Sequence, residues 1–164
     1  MPGAAERGLD PDRIGVMGFS AGGHMALLGA ASLMRGAYEP IDEIDKTPCN
    51  VRWAVAIYPA YALTDGLERE NSTGGNDDSA RLAPELDFDA ATPPVLFVHG
   101  DADRWAAMNS VKAWEQLRRI GVQGEVHTLA KRGHCFQKFA AAGTGSYTYL
   151  DRIWEFLYEK KLLK

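Results

Sequence analysis

An α/β fold of about four parallel strands with flanking helices is what this sequence predicts, on three observations. Short apolar runs alternate with helical stretches of about ten to fifteen residues, the pattern of βαβ units. Each run is closed by Gly, Pro or Asp turn signals. One Gly-x-Ser-x-Gly string joins an apolar run directly to the helix that follows it.

The elements follow in order. Residues 4–8 read as the last turn of a helix stopped by Gly8, and Asp10-Pro11-Asp12 as a turn. Residues 13–19 (Arg-Ile-Gly-Val-Met-Gly-Phe) form a buried strand, and residues 21 to about 35 a helix apolar nearly all round, hence central. Residues 51–58 are a second strand ended by Pro59, and residues 60–93 a long irregular polar segment, a length that is usually functional or disordered. Pro94 opens a third strand running to His99. Asn109 or Ser110 caps a helix with Val111, Trp114 and Leu117 on one face, stopped by Gly121. Residues 125–129 are a fourth strand. A last helix from about 146 to 161 turns Tyr149, Leu150, Ile153, Trp154 and Leu157 to the core. Parallel pairing with right-handed crossovers is expected throughout.

Composition narrows the function. The chain has 164 residues, 46% apolar and 24% charged, enough for one core. Its net charge of −4 and scattered basic residues argue against a nucleic-acid partner or a polybasic membrane patch. The longest apolar stretch, 53–63, contains Pro59 and is too short to span a bilayer. The N-terminal residues carry no apolar leader, and Cys49 and Cys135 form no CxxC or disulfide framework. Two free thiols and no leader give a cytoplasmic expectation. The histidines are dispersed and no HExxH occurs, so neither a metal nor a cofactor is expected.

The chemistry is carried by three sites. Gly18-Phe19-Ser20-Ala21-Gly22 is short enough to recur by chance, and its place between an apolar strand and an apolar helix gives it weight. A sharp strand-to-helix turn strains the backbone at the serine. Small neighbours let strand and helix approach, Gly22 and Gly23 extending that allowance. The helix N-terminus, with the Ala21 N–H, adds positive partial charge where an oxyanion develops. A plain Gly-rich turn is the bland alternative; no GxGxxG or GxxxxGK[ST] supports a phosphate cradle. A serine hydroxyl needs a base. His24, His99 and His127 lie within elements and read as structural, whereas His134 follows the fourth strand in the loop Lys131-Arg132-Gly133-His134. An acid must orient that imidazole. Gly100-Asp101-Ala102-Asp103 puts two carboxylates at the carboxyl end of the third strand, the edge where open α/β sheets bind ligands.

The strings 9–24, around Gly-Phe-Ser-Ala-Gly-Gly-His, and 92–104, around Val-His-Gly-Asp-Ala-Asp, strongly resemble the α/β-hydrolase esterases, nearest the acetyl-xylan and feruloyl esterase-like carboxylesterases beside the hormone-sensitive-lipase type. The resemblance implies a serine carboxylesterase acting on small acyl esters. It implies Ser20 as nucleophile, His134 as base, Asp103 as acid in place of Asp101, and Ala21 as an oxyanion donor. The order Ser, Asp, His is the one this fold uses. Ala106-Ala107 stand where Val-Pro is typical, and Cys135 where a glycine is common.

The family's HGGG string, source of its second oxyanion donor, is not in this sequence. The expectation is therefore that residues 1–164 are the C-terminal catalytic part of such a domain, lacking its early strands. The strand at 13–19 then becomes an apolar edge, and a homo-oligomer is expected to bury it. Two further readings stay open: a peptidase of the prolyl-oligopeptidase type, and a remnant that turns over weakly or not at all.

Overall fold

The protein is described by a computed structural model covering residues 5–31, 38–47, 50–64, 81–139 and 148–162. Four parallel strands pair in the order β1 (Val16–Phe19), β2 (Ala54–Ile57), β3 (Val95–Gly100), β4 (Gly124–Leu129). Three helices flank them: α1 (Ala21–Ala31), α2 (Met108–Arg119) and α3 (Tyr149–Glu159). The predicted class, strand number and parallel pairing are those observed.

β2 and β3 are buried at every position, which is why they read as unbroken apolar runs. Alternation along them divides the core in two. Ala54, Ala56, Val95 and Phe97 face α1 and α2, meeting Leu27, Ala30, Ala113 and Leu117. Val55, Ile57, Leu96 and Val98 face α3, meeting Tyr149, Phe156 and Leu157. Full burial of each such Val, Leu, Ile or Phe side chain stabilises the fold by about 1.5–3 kcal/mol.

Several boundaries move for identifiable reasons. β1 starts at Val16, because Asp10 accepts from the Asp12 N–H and caps a 3₁₀ turn, Pro11–Arg13, that holds the first residue of the expected strand. Residues 5–8 likewise form a 3₁₀ turn, Ala5–Arg7, closed by Gly8. Asn109 and Ser110 do not cap α2. They lie inside its first turn, buried, and their side chains bond elsewhere: Asn109 Oδ1 accepts from the Ala62 N–H at 2.9 Å, and Ser110 Oγ meets His99 Nδ1 at 2.8 Å. The segment 60–93 is partly ordered into the core. Leu63 and Leu82 form an antiparallel bridge, and Ala83, Leu86 and Phe88 pack beneath α1 and α2. The predicted ends of the first and last helices (32–35 and 146–147), residue 4, Cys49 and residues 65–80 lie outside the described residues.

Two expectations about burial are corrected. α1 is central on one side only, since Met25 is exposed while Ala26, Leu27 and Ala30 are buried. On α3, Leu150 and Trp154 are 47% and 63% exposed, and Phe156 takes their expected place in the core. Leu150, Trp154 and Tyr158 recur every four residues, so they form an apolar stripe that faces away from β2 and β3. Among the described residues β1 is an edge strand, with Met17 and Phe19 exposed. No helix among the described residues is long and apolar enough to cross a membrane.

The two glycines of the Gly-x-Ser-x-Gly string do different work. A Cβ on Gly18 would lie 1.9 Å from the Gly22 carbonyl oxygen, a backbone atom, so the helix start could not sit against the strand. A Cβ on Gly22 would meet nothing within 4 Å. Close approach rests on Gly18, and on Gly23, whose Cβ would lie 3.1 Å from Pro59 Cα; Gly22 contributes none of it, contrary to expectation. Gly18→Ala should therefore destabilise by at least about 3 kcal/mol through overpacking. Gly22→Ala, inside a helix, should be neutral or stabilise by about 0.5–1 kcal/mol. Urea-unfolding midpoints distinguish the two; equal shifts would show that the elbow is not packed this way.

Candidate active site

The site lies at the carboxyl edge of the sheet and is assembled from the ends of all four strands. Ser20 follows β1 in a left-handed conformation, φ 56°, which costs a non-glycine residue about 1–2 kcal/mol. The conformation is held from several directions. The Ser20 N–H donates to the Ile57 carbonyl at 3.0 Å, and the Ser20 carbonyl accepts from the N–H groups of Gly23, His24 and Ala60 at 2.9, 3.2 and 3.2 Å. The hydroxyl is thereby pinned at the β1–α1 junction. Ala21 is the first residue of α1 and exposed; its N–H belongs to the opening turn, which has no intrahelical acceptor.

Ser20 Oγ lies 2.8 Å from His134 Nε2. His134 Nδ1 lies 2.8 Å from Asp103 Oδ2 and 3.1 Å from Oδ1. A carboxylate only accepts, so Nδ1 carries the proton and Nε2 is left to accept from the serine hydroxyl. Asp103 is 1% exposed, while the His134 side chain keeps 16% of its surface in solvent. Asp101 is exposed on the turn that follows β3. The three residues expected to act together are brought together, and Asp103 rather than Asp101 reaches the histidine.

The loops that hold Asp103 and His134 touch through their backbones. The Ala102 N–H donates to the Arg132 carbonyl at 3.0 Å. A Cβ on Gly100 would fall 2.0 Å from that same oxygen, so only glycine lets the turn after β3 lie against the turn after β4. Lys131 and Cys135 are both left-handed, φ 58°, and bracket His134. At position 135 glycine would adopt that backbone without the strain a cysteine carries. Phe136, 2% exposed, anchors the loop in the core.

The electrostatics favour the ionised form of Asp103. Burial raises the Asp103 pKa, but hydrogen-bonding contacts with His99, the Trp105 N–H and His134 outweigh it and hold the carboxyl below its usual range. Tyr58 flanks His134. Its ring meets the His134 ring edge-on at 4.8 Å and Phe136 at 5.1 Å. Burial, followed by the charges of Cys135, Tyr149 and Asp103, pushes the Tyr58 phenol well above the usual tyrosine range, so it stays neutral.

The remaining histidines lie apart from this chain of contacts, with one exception. His24 Nε2 sits 3.5 Å from Glu85, and His127 Nε2 3.4 Å from Glu125. His99 was read as structural, yet its Nε2 is 2.8 Å from the Trp105 carbonyl and 3.5 Å from Asp103 Oδ2. Strand alternation, which puts 99 on the face of Val95 and Phe97 toward α2, is the signal that could have shown its direction. Tyr58 was hidden within an apolar run. Among the described residues no group of three His, Cys, Asp or Glu side chains is arranged to hold a metal ion.

Comparison with known proteins agrees with this architecture. Thermogutta terrifontis esterase 2 in its apo form superposes with a TM-score of 0.74 at 26% identity, over 98% of this chain and 60% of its own. The acetyl ester-xyloside bifunctional hydrolase from Caldicellulosiruptor lactoaceticus shares the fold, with a TM-score of 0.78 at 22% identity over 99% of this chain and 62% of its own. A probable carboxylic ester hydrolase, LipM of Mycobacterium tuberculosis, is 25% identical over 155 residues, 84% of this chain and 36% of its own. The chain thus spans less than two thirds of each of these proteins. The family model described as BD-FAE matches residues 2–117, well over half of the sequence: the chain belongs to the BD-FAE family.

Proposed function

We propose that this chain carries the acyl-transfer machinery of a serine carboxylesterase acting on small acyl esters. The observation that supports this most is the unbroken contact chain from Ser20 Oγ through both ring nitrogens of His134 to buried Asp103, each link 2.8 Å. The resemblance to proteins named esterase or carboxylic ester hydrolase points the same way.

In this reading His134 Nε2 takes the Ser20 hydroxyl proton as Oγ attacks the ester carbonyl carbon. The carbonyl π pair moves to oxygen, and the resulting oxyanion lies against the Ala21 N–H and the positive end of α1. Asp103 stabilises the imidazolium and keeps its orientation. The tetrahedral species collapses, His134 returns the proton to the leaving alcohol, and an acyl ester remains on Ser20. Water, deprotonated by the same imidazole, repeats the sequence and releases the carboxylic acid. Strain at Ser20 is the cost of presenting Oγ at the edge, and α1 and β2 together hold it there.

Ala21 is one donor. A donor of this kind typically contributes about 100- to 1000-fold in turnover. With p-nitrophenyl acetate the chain should release p-nitrophenolate above the buffer rate, and Ser20→Ala should return it to that rate. Equal rates for the two proteins would discard the nucleophile.

Asp103 supplies a pH test. Its pKa is lower folded than the ordinary carboxylate value of about 3.9. Its ionisation therefore contributes stability that is complete above the unfolded pKa and is lost as pH falls through the lower folded value. The gap in urea midpoint between wild type and Asp103→Asn should shrink as pH falls below about 4. A gap that stays constant or widens on acidification would contradict the assignment. Activity of Asp103→Asn should fall by about 10⁴-fold.

A further inference from the structure

We propose that His99 is a positioning residue for the Asp103–His134 pair, acting by clamping the main chain of Trp105 beneath the carboxylate. The proposal rests on the esterase reading for its kinetic consequence and on geometry alone for its structural one.

His99 is the fifth residue of β3 and 0% exposed. A buried imidazole needs both nitrogens satisfied, and here both are. Nε2 is 2.8 Å from the Trp105 carbonyl oxygen, and Nδ1 is 2.8 Å from Ser110 Oγ. A carbonyl only accepts, so Nε2 carries the hydrogen and donates. In the neutral ring Nδ1 then accepts from the Ser110 hydroxyl. Ser110 sits in the first turn of α2, itself buried. The ring is therefore fixed at both ends, by the sheet through its own backbone and by α2 through Ser110.

What this fixes is the turn that carries the acid. Trp105 is held on both sides: its carbonyl by His99, and its N–H by donation to Asp103 Oδ1 at 2.9 Å. Oδ2 takes the His134 Nδ1–H at 2.8 Å, with His99 Nε2 at 3.5 Å behind it. Oδ1 is thus anchored to a clamped peptide while Oδ2, the nearer of the two oxygens, and Oδ1 at 3.1 Å both face His134 Nδ1. Releasing the Trp105 carbonyl loosens the anchor, and the aim of the carboxylate at His134 becomes less exact. No substrate touches His99 in this scheme; it works only through Trp105 and Asp103.

The test compares His99→Leu, which removes the donor, with His99→Gln, whose amide N–H₂ can still reach the Trp105 carbonyl. His99→Leu should lower kcat for p-nitrophenyl acetate by about 100-fold, the scale of a small misplacement at a reacting centre, with KM unchanged. His99→Gln should recover much of that loss. Independently of turnover, the proton between His134 Nδ1 and Asp103 should give a low-field ¹H NMR resonance, absent in His134→Gln. That resonance should broaden or shift upfield in His99→Leu and persist in His99→Gln. If His99→Leu does not fold, Ser110→Ala serves in its place, because it unpins the other ring nitrogen; kcat should fall with KM unchanged. A folded His99→Leu, or Ser110→Ala in its place, with wild-type kcat and an unmoved resonance overturns the proposal. Turnover that survives Ser20→Ala would instead refute the esterase reading, and the resonance would still decide the role of His99.

Discussion

Everything at this site depends on one strained residue. Ser20 is held at φ 56° because the carbonyl of Ile57 and the N–H groups of Gly23, His24 and Ala60 converge on its backbone. Those partners come from β2, α1 and the turn after β2. The sheet and its first crossover must therefore be in place before the hydroxyl can be presented. Such strain persists only where the surroundings over-determine it, and here three separate segments do so. Gly18 makes the arrangement possible by leaving room for the Gly22 carbonyl.

The same logic repeats at the other side of the sheet. Parallel pairing brings the ends of β3 and β4 to one edge, but adjacency alone would leave acid and base loops a side chain apart. Gly100 removes that side chain, and the Ala102 to Arg132 hydrogen bond closes the gap. Asp103 then sits in a buried position where only charge-stabilising contacts offset its desolvation. Buried Asp103, mostly buried His134 and pinned Ser20 run from the core toward the solvent. Tyr58, neutral and edge-on to His134, walls one side of this row.

Much of this was legible beforehand, for physical reasons. β2 and β3 are covered on both faces, so continuous apolar runs marked them. Ser20, Asp103 and His134 were marked by position, each just past a strand. The register of Asp103 over Asp101 came from the family resemblance, and burial accounts for it: one carboxyl is in the core and its neighbour in solvent. What stayed hidden depends on three-dimensional neighbours. Periodicity shows that α3 has an apolar stripe, not which part of it is covered, hence Leu150 and Trp154. Asn109 and Ser110 have the chemistry of caps, but buried partners, Ala62 and His99, claimed them. Gly22 and Gly18 look alike in the string and differ only in what their missing Cβ would strike.

The most direct test of the central claim is covalent capture of the hydroxyl that His134 is placed to deprotonate. A fluorophosphonate reacts by attack of Oγ on phosphorus with loss of fluoride, leaving a phosphonyl ester that fragmentation mass spectrometry locates to one residue. The account predicts a single adduct on Ser20, with the labelling rate falling to background in a folded His134→Gln variant. An adduct on another residue, or labelling of Ser20 at the same rate without the imidazole, would contradict it.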